Sequence, residues 1–173
     1  MVLLWQGIKQ MADIDKYLLG MNQTKRFEGW RNSPYDDAGG RAIGWGFNLD
    51  YVDPKYHKSI TKEQAQPVFE EKYLGAIGRA SSFLGEDSFN NLNQTRKNAV
   101  VDMSYNLGDN LLKFKKMKAA LSTGDYENAA KEMKDSKWYG QVGNRSKELV
   151  SEMKKGEDVK TLSQFYNSLL GGN

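Results

Sequence analysis

A glycine-rich segment at residues 32–50 is the feature that most constrains the fold of this chain, because it interrupts a sequence that is otherwise patterned for helices. Its first part, residues 32–40, is rich in turn-forming residues. Its second part, residues 42–49, alternates like a strand, with glycine at two alternate positions. We therefore predict a small β-hairpin or three-stranded meander over residues 33–50, joined to a larger helical lobe.

Helical patterns flank this segment on both sides. Apolar residues recur at helical spacing over residues 2–19, which predicts one amphipathic helix or two short ones ending at Gly20. A further short helix then leads to Glu28. After the β segment, Thr61 and Gln64 form a capping box that starts a helix running toward Phe83.

The rest of the chain predicts a succession of helices punctuated by glycines. A helix over residues 94–107 should end at Gly108. Shorter helices are predicted at residues 111–121, 125–135, 144–155 and 160–169. The predicted fold class is α+β and mostly helical, with a small N-terminal β-hairpin lobe joined by a long helix to a larger helical lobe.

The composition excludes several kinds of chemistry. The chain has 173 residues, no Cys and one His, which excludes disulfide scaffolds, Cys/His zinc sites and a Cys nucleophile. His57 lies in a polar, loop-like stretch and is interpreted as a surface histidine. We therefore expect no metal and no cofactor, and acid–base chemistry that depends on carboxylates.

The charge and hydropathy of the chain limit the classes of molecule that it is expected to bind. The formal net charge is +3, and the basic excess lies in the second half, where acidic residues are interleaved with it. This pattern could favour an anionic polymer, although an ordinary solvated helix surface is the favoured interpretation. The chain carries no nucleic-acid-binding motif, and the apolar run at residues 1–5 is too short for a signal peptide. We expect no nucleic-acid partner and no membrane insertion.

Three carboxylates around the β segment are the candidate reactive groups. Glu28 lies at the end of a predicted helix, and Asp36 and Asp37 follow eight and nine residues later on the hairpin. When a helix is followed directly by a hairpin, a carboxylate at the end of the helix and carboxylates on the hairpin can face each other across a cleft. Glycoside hydrolysis needs one protonated and one ionised carboxyl group. Spacing alone makes this a weak signal.

The same segment resembles the opening motif of the phage-type lysozymes, the endolysin family of tailed bacteriophages (glycoside hydrolase family 24). The matching residues are Glu28-Gly29, Arg31, Tyr35, Asp37, Gly39 or Gly40, and Ile43 through Gly46. A second block resembles the family's buried central helix, from Arg96 to Gly108. Its C-terminal helices are matched by Asp125 to Ala130, Ser136 to Tyr139, and Asn144-Arg145.

This resemblance implies a lysozyme-like domain over residues 25–173, preceded by an N-terminal helical extension over residues 1–24. It implies that Glu28 is the general acid and Asp37 the second carboxylate. It also implies that Arg145 pairs with the acid. Substrate-binding positions would be Tyr105, Asn106, Asn144 and Arg145. For Tyr105, Trp138 and Tyr139, core packing with one polar edge exposed is the simpler interpretation.

Two departures from the family pattern leave alternatives open. In the family a Thr stands six residues after the catalytic Asp and helps to position water. Here that position is Ile43, and a one-residue deletion in the turn places Ala42 in the Thr position. A deletion before the aspartate would instead make Asp36 the catalytic residue. A His that follows the hairpin glycines in many members is Phe47 here.

Three functions are compatible with these residues. The first is a muramidase that hydrolyses the β-1,4 bond between N-acetylmuramic acid and N-acetylglucosamine in bacterial peptidoglycan. The second is a lytic transglycosylase, which needs the Glu acid but no external water. The third is a wall-binding virion protein with a decayed active site. We expect a monomer in the host cytoplasm before lysis, or alternatively a virion-associated enzyme.

Overall fold

The computed structural model describes residues 17–37 and 40–157, which fall into two compact units. The sheet unit comprises Met21–Gly75. The described part of the helical unit comprises residues 17–20 and 76–157. Within the described ranges, no helix is both long enough and apolar enough to cross a membrane.

The first helix, α1, covers residues 17–28 in the described part of the chain. It continues through Gly20, so the prediction that a helix ends there is wrong. Packing overrides the modest cost of one glycine in a helix, since the neighbouring Met21 and Thr24 are almost fully buried. Most of the predicted helix over residues 2–19 lies outside the described residues.

Gly29 ends α1 and turns the chain toward the sheet. Its φ is +70°, and its N–H donates to the carbonyl of Lys25 at 3.0 Å. This left-handed glycine just beyond the last helical residue is a common helix stop. Glu28 is consequently the last residue of α1.

A three-stranded antiparallel sheet follows, as the sequence predicts. Its strands are β1 (Arg31–Asp37), β2 (Gly40–Gly44) and β3 (Phe47–Asn48), in the order β1-β2-β3. Ile43 lies opposite Phe47, and both side chains are fully buried, so one face of the sheet faces the core. The other face carries the polar residues described below.

The long helix α2 (Lys62–Leu84) begins at the predicted capping box. The N–H of Thr61 donates to Gln64 Oε1 at 2.9 Å, and the N–H of Gln64 donates to Thr61 Oγ1 at 3.3 Å. This helix contributes its residues up to Gly75 to the sheet unit and those from Ala76 to the helical unit.

The helical unit confirms the prediction for its central helix and corrects some others. Helix α4 (Gln94–Leu107) has the predicted bounds and ends at Gly108. The predicted helix over 111–121 is instead a 3₁₀ helix (Gly108–Lys113) followed by α5 (Lys115–Ser122). Helices α6 (Tyr126–Lys134) and α8 (Asn144–Lys155) lie close to their predicted positions.

The hydrophobic periodicity missed two short helices, α3 (Glu86–Asn90) and α7 (Lys137–Gln141), of which only α7 was implied by the family resemblance at Ser136 to Tyr139. Each has only five residues, too few for a hydrophobic period to be recognised. The predicted helix over 160–169 lies outside the described residues. With one small sheet and otherwise helical elements, the predicted α+β class is confirmed.

Candidate active site

The carboxyl group of Glu28 is packed against the backbone of the hairpin at Gly46. A Cβ atom placed on Gly46 would lie 2.7 Å from Glu28 Oε2 and 3.6 Å from its Cδ, and Gly46 has a φ of +72°. No other residue would leave this space and adopt this backbone conformation without strain. The end of α1 and the β2–β3 turn are therefore fitted to each other around this carboxyl group.

The strand register separates the two aspartates. Tyr35 lies opposite Ala42, Asp36 opposite Arg41, and Asp37 opposite Gly40. Because side chains alternate along a strand, Tyr35 and Asp37 share one face of the sheet and Asp36 lies on the other. Asp36 faces its cross-strand partner Arg41, a pair of opposite charges. Both aspartates are exposed.

Tyr35 links the two candidate carboxylates electrostatically. Partial burial, followed by the negative charges of Asp37 and then Glu28, raises the pKa of the Tyr35 phenol above its ordinary value, and Arg31 opposes this. The guanidinium of Arg31 lies over the Tyr35 ring, 5.0 Å from its centroid. Both candidate carboxylates therefore lie near enough to Tyr35 to raise the pKa of its phenol. The phenol stays protonated at neutral pH and can donate a hydrogen bond.

The last turn of α1, which carries Glu28, is held by Lys25. Its Nζ lies 4.5 Å from the Trp45 ring centroid and 4.8 Å from that of Phe69, and it donates to Gln66 Oε1 at 2.5 Å. Burial lowers the pKa of Lys25, while the charge of Glu70 opposes that shift. These contacts fix the end of α1 against α2 and the hairpin.

The helical unit contains a buried ion pair at Arg145. Its Nε donates to Asp102 Oδ1 at 2.7 Å, and the two side chains are 7% and 1% exposed. Arg145 belongs to the first turn of α8, whereas Asp102 lies in the middle of α4. The pair therefore joins the central helix to α8 and holds the guanidinium in one place.

The other predicted substrate-binding residues lie at helix ends of the same unit. Asn106 Oδ1 accepts a hydrogen bond from Trp138 Nε1 at 2.9 Å. Trp138 is only 3% exposed, which confirms its interpretation as a core residue with one polar edge. Tyr105 is partly buried, and Asn144 is exposed at the start of α8.

A surface pocket of about 770 Å³ lies beside Trp138 in the helical unit. Its walls combine aromatic rings with basic and acidic side chains. They are formed by Leu107, Asn110, Lys113, Phe114, Lys115, Lys116, Met117, Glu132, Asp135, Ser136, Lys137, Trp138 and Gln141. The pocket lining is therefore mixed in charge.

The structure also bears on the predictions for the single histidine and for metal binding. His57 is exposed, as predicted, and its Nε2 lies 3.2 Å from the carbonyl oxygen of Val52. Across residues 17–37 and 40–157, no group of three or more His, Asp and Glu side chains is arranged to hold a metal ion.

Sequence reasoning did not identify the roles of Tyr35 and Asp102. The alternation of Tyr35 with Asp37 along β1 was a usable signal, because residues two apart share a face of a strand. Asp102 carried no such signal, since one aspartate in an amphipathic helix is ordinarily a surface residue.

The comparisons with known proteins agree with this arrangement. A family model described as phage lysozyme matches residues 25–155. The chain belongs to the phage lysozyme family. This membership and the α+β architecture confirm the predicted resemblance and the lysozyme-like fold.

Two curated relatives come from Dictyostelium discoideum. The chain is 31% identical to probable T4-type lysozyme 1 and 29% identical to probable T4-type lysozyme 2, over 107 residues in each case. These regions represent 61% of this chain and 63% of each relative. The chain therefore matches less than two thirds of the length of these family members.

Proposed function

We propose that this chain is a muramidase that hydrolyses the β-1,4 bond between N-acetylmuramic acid and N-acetylglucosamine in bacterial peptidoglycan. The observation that carries the proposal is the placement of two carboxyl groups in the sheet unit: Glu28 is packed against Gly46 of the β2–β3 turn, and Asp37 shares the face of Tyr35 on β1. A pair of carboxyl groups at one site is the machinery of glycoside hydrolysis. Membership of the phage lysozyme family supports the same chemistry.

In this mechanism Glu28 donates its proton to the glycosidic oxygen as the bond from that oxygen to the anomeric carbon breaks. Positive charge develops on the sugar ring, and a water molecule attacks the anomeric carbon from the opposite face. Asp37 accepts the proton that the water loses. The register supports Asp37 over Asp36, because Asp37 shares the face of Tyr35. After the glycosidic bond breaks, each product carries a new hydroxyl group: one on the former glycosidic oxygen and one on the anomeric carbon.

We also propose that four residues of the helical unit bind substrate: Tyr105, Asn106, Asn144 and Arg145. Asn106 and Arg145 are supported by their fixed positions, because Trp138 holds the first and Asp102 holds the second. A preoriented polar group loses less conformational entropy on binding a sugar.

A lytic transglycosylase is the second candidate. Ala42 favours it, since the residue in the position of the family Thr carries no hydroxyl. In that reaction the muramic acid's own 6-hydroxyl attacks and no external water is consumed. An aspartate on the same sheet face as Tyr35 favours hydrolysis, because a transglycosylase needs no second carboxylate to activate water.

Mass spectrometry of digested peptidoglycan tests this proposal. Hydrolysis yields muropeptides with reducing ends. Transglycosylation yields anhydro-muropeptides, which are lighter than the hydrolysis products by the mass of one water molecule. Release of neither product would indicate a wall-binding protein without activity and would contradict the proposal. For an inverting hydrolase, the two carboxyl groups should lie roughly 6.5–9.5 Å apart in a substrate complex.

A further inference from the structure

A partly buried lysine lies three residues before Glu28 in α1. Its ammonium group lies over two aromatic rings: Lys25 Nζ is 4.5 Å from the centroid of Trp45 and 4.8 Å from that of Phe69. The two rings pack edge to face, with their centroids 5.6 Å apart. The face of an aromatic ring attracts a cation, more strongly where water is partly excluded. The two rings therefore provide a defined place for this ammonium group.

A chain of hydrogen bonds completes the surroundings of the ammonium group. Lys25 Nζ donates to Gln66 Oε1 at 2.5 Å, and Gln66 Nε2 donates to Glu70 Oε1 at 2.5 Å. Gln66 and Glu70 are four residues apart on α2, which makes them neighbours on one face of that helix. Because its amide nitrogen bonds to a carboxylate, the Gln66 side chain presents its oxygen to Lys25.

Lys25 contacts both elements that meet at the Glu28 carboxyl group. On α1, its backbone carbonyl accepts the hydrogen bond from the N–H of Gly29 that ends the helix. On the hairpin, its ammonium group packs on Trp45, the residue directly before Gly46, and the Glu28 carboxyl group is packed against Gly46. Lys25 therefore ties the helix end that carries the carboxyl group to the turn on which that group rests.

We propose that Lys25 is a positioning residue for the general acid, and that its side chain holds the end of α1 and the β2–β3 turn in the arrangement that directs the Glu28 proton to the glycosidic oxygen. Lys25 acts through Glu28 and transfers no proton itself. General acid catalysis requires the acid to lie within hydrogen-bond reach of the leaving oxygen, so a small displacement slows the reaction. This inference rests on the proposed function and deepens it, because it names what keeps the acid in place.

Lys25→Met tests this role, because it keeps a long apolar side chain against both rings but removes the charge and the hydrogen-bond donor. We expect kcat to fall by roughly 10- to 100-fold with little change in KM, because a misplaced acid slows the chemical step without weakening glycan binding. Reducing-end release from purified peptidoglycan, followed over a range of substrate concentrations, separates kcat from KM. The assays are run well below the unfolding transition of each variant, so that all of the protein is folded.

Two further variants test the two kinds of contact that Lys25 makes. Lys25→Arg keeps the positive charge, packs well on aromatic faces and still carries donors for Gln66. We expect it to recover most of the kcat that Lys25→Met loses. Gln66→Met removes the hydrogen-bond acceptor and leaves both rings in place. We expect it to lower kcat less than Lys25→Met does, again with little change in KM.

Lys72→Met is the matched control. Lys72 is another partly buried lysine of the sheet unit, and burial lowers its pKa as it lowers that of Lys25. Its Nζ lies 5.9 Å from the Phe47 ring centroid, so it too packs on an aromatic ring. It lies on α2 and not on the helix that carries Glu28. Its replacement should have a comparable effect on the free energy of unfolding and leave kcat unchanged.

The outcomes separate this inference from the function on which it rests. A wild type that releases neither reducing ends nor anhydro-muropeptides contradicts the proposed function, and the role of Lys25 falls with it. Release of anhydro-muropeptides alone contradicts hydrolysis but keeps Glu28 as the acid, and the same order of kcat among the variants then supports the inference. An active wild type with unchanged kcat in Lys25→Met overturns the inference alone. So does an equal kcat loss in Lys72→Met, or a Lys25→Arg variant as slow as Lys25→Met.

Discussion

The sheet unit and the helical unit use carboxylates in opposite ways. In the sheet unit, Glu28 is partly buried and Asp37 is exposed. In the helical unit, Asp102 is 1% exposed and is held by Arg145 at 2.7 Å. A carboxylate that must exchange protons needs access to substrate and water, whereas a fully buried one is tolerated only with a paired charge. The difference predicts that the first pair governs activity and the second governs stability.

The largest effect is expected at Glu28. Glu28→Gln keeps the shape of the side chain against Gly46 but removes the proton that the leaving oxygen needs. We expect activity to fall by about 10²–10⁴-fold with an unchanged unfolding transition, measured by reducing-end release and by clearing of permeabilised bacterial cells. Glu71→Gln, at an exposed position of α2, is the control. Clearing by Glu28→Gln at the rate of the wild type would contradict the role of Glu28 as the acid.

Breaking the buried Arg145–Asp102 pair should, in contrast to Glu28→Gln, lower the stability of the fold. Asp102→Ala leaves the Arg145 guanidinium buried without its carboxylate, which costs about 3–5 kcal/mol in the free energy of unfolding. Urea unfolding measures this loss. Replacing both residues, as in Asp102→Leu with Arg145→Met, should recover much of the stability, since no unpaired charge then remains buried. A loss below about 1 kcal/mol in Asp102→Ala would show that the pair is not structural.

The two aspartates of β1 sharpen the comparison inside the sheet unit. Asp37→Asn should lower activity by about 100-fold or more, because it removes the acceptor for the water proton. Asp36→Asn should remain near wild-type activity, because that side chain lies on the opposite face beside Arg41. The same peptidoglycan assay compares them. Equal losses would leave the choice between the aspartates unsupported by the register.

The smallest effect concerns Tyr35 and pH. Burial and the charges of Asp37 and Glu28 raise its pKa in the folded protein. The protonated phenol therefore stabilises the fold fully below the unfolded value near 10, and this contribution is lost as the pH rises through the folded-state pKa.

Tyr35→Phe removes that dependence. Between pH 9.5 and pH 11, the wild type should lose more unfolding free energy than Tyr35→Phe does. The difference should stay under about 1 kcal/mol, because the phenol is largely solvated. Chemical denaturation at both pH values measures it. If the difference in unfolding free energy between the wild type and Tyr35→Phe does not change with pH, the carboxylates do not raise the pKa of the phenol.

Much of the fold could be predicted from local sequence. The capping box at Thr61, the stop at Gly108 and the three-stranded meander each depend on residues close together in the chain, and each is present. Two features were missed: the helix that continues through Gly20, and the 3₁₀ helix Gly108–Lys113. Packing rather than intrinsic propensity decides whether a helix continues through a glycine and whether a turn is α-helical or 3₁₀.

The absence of cysteine and the single histidine are determined by the sequence itself, and from them we predict that any acid–base chemistry depends on carboxylates. The motif around Glu28 and Asp37 likewise identified the family from the residues alone. Only the tertiary structure decided which aspartate shares the face of Tyr35 and which residue holds Arg145. It also decided that Lys25 lies over the rings of Trp45 and Phe69. The physical reason is that strand register and helix packing bring together residues that are distant in sequence, and no local pattern encodes which pairs will meet.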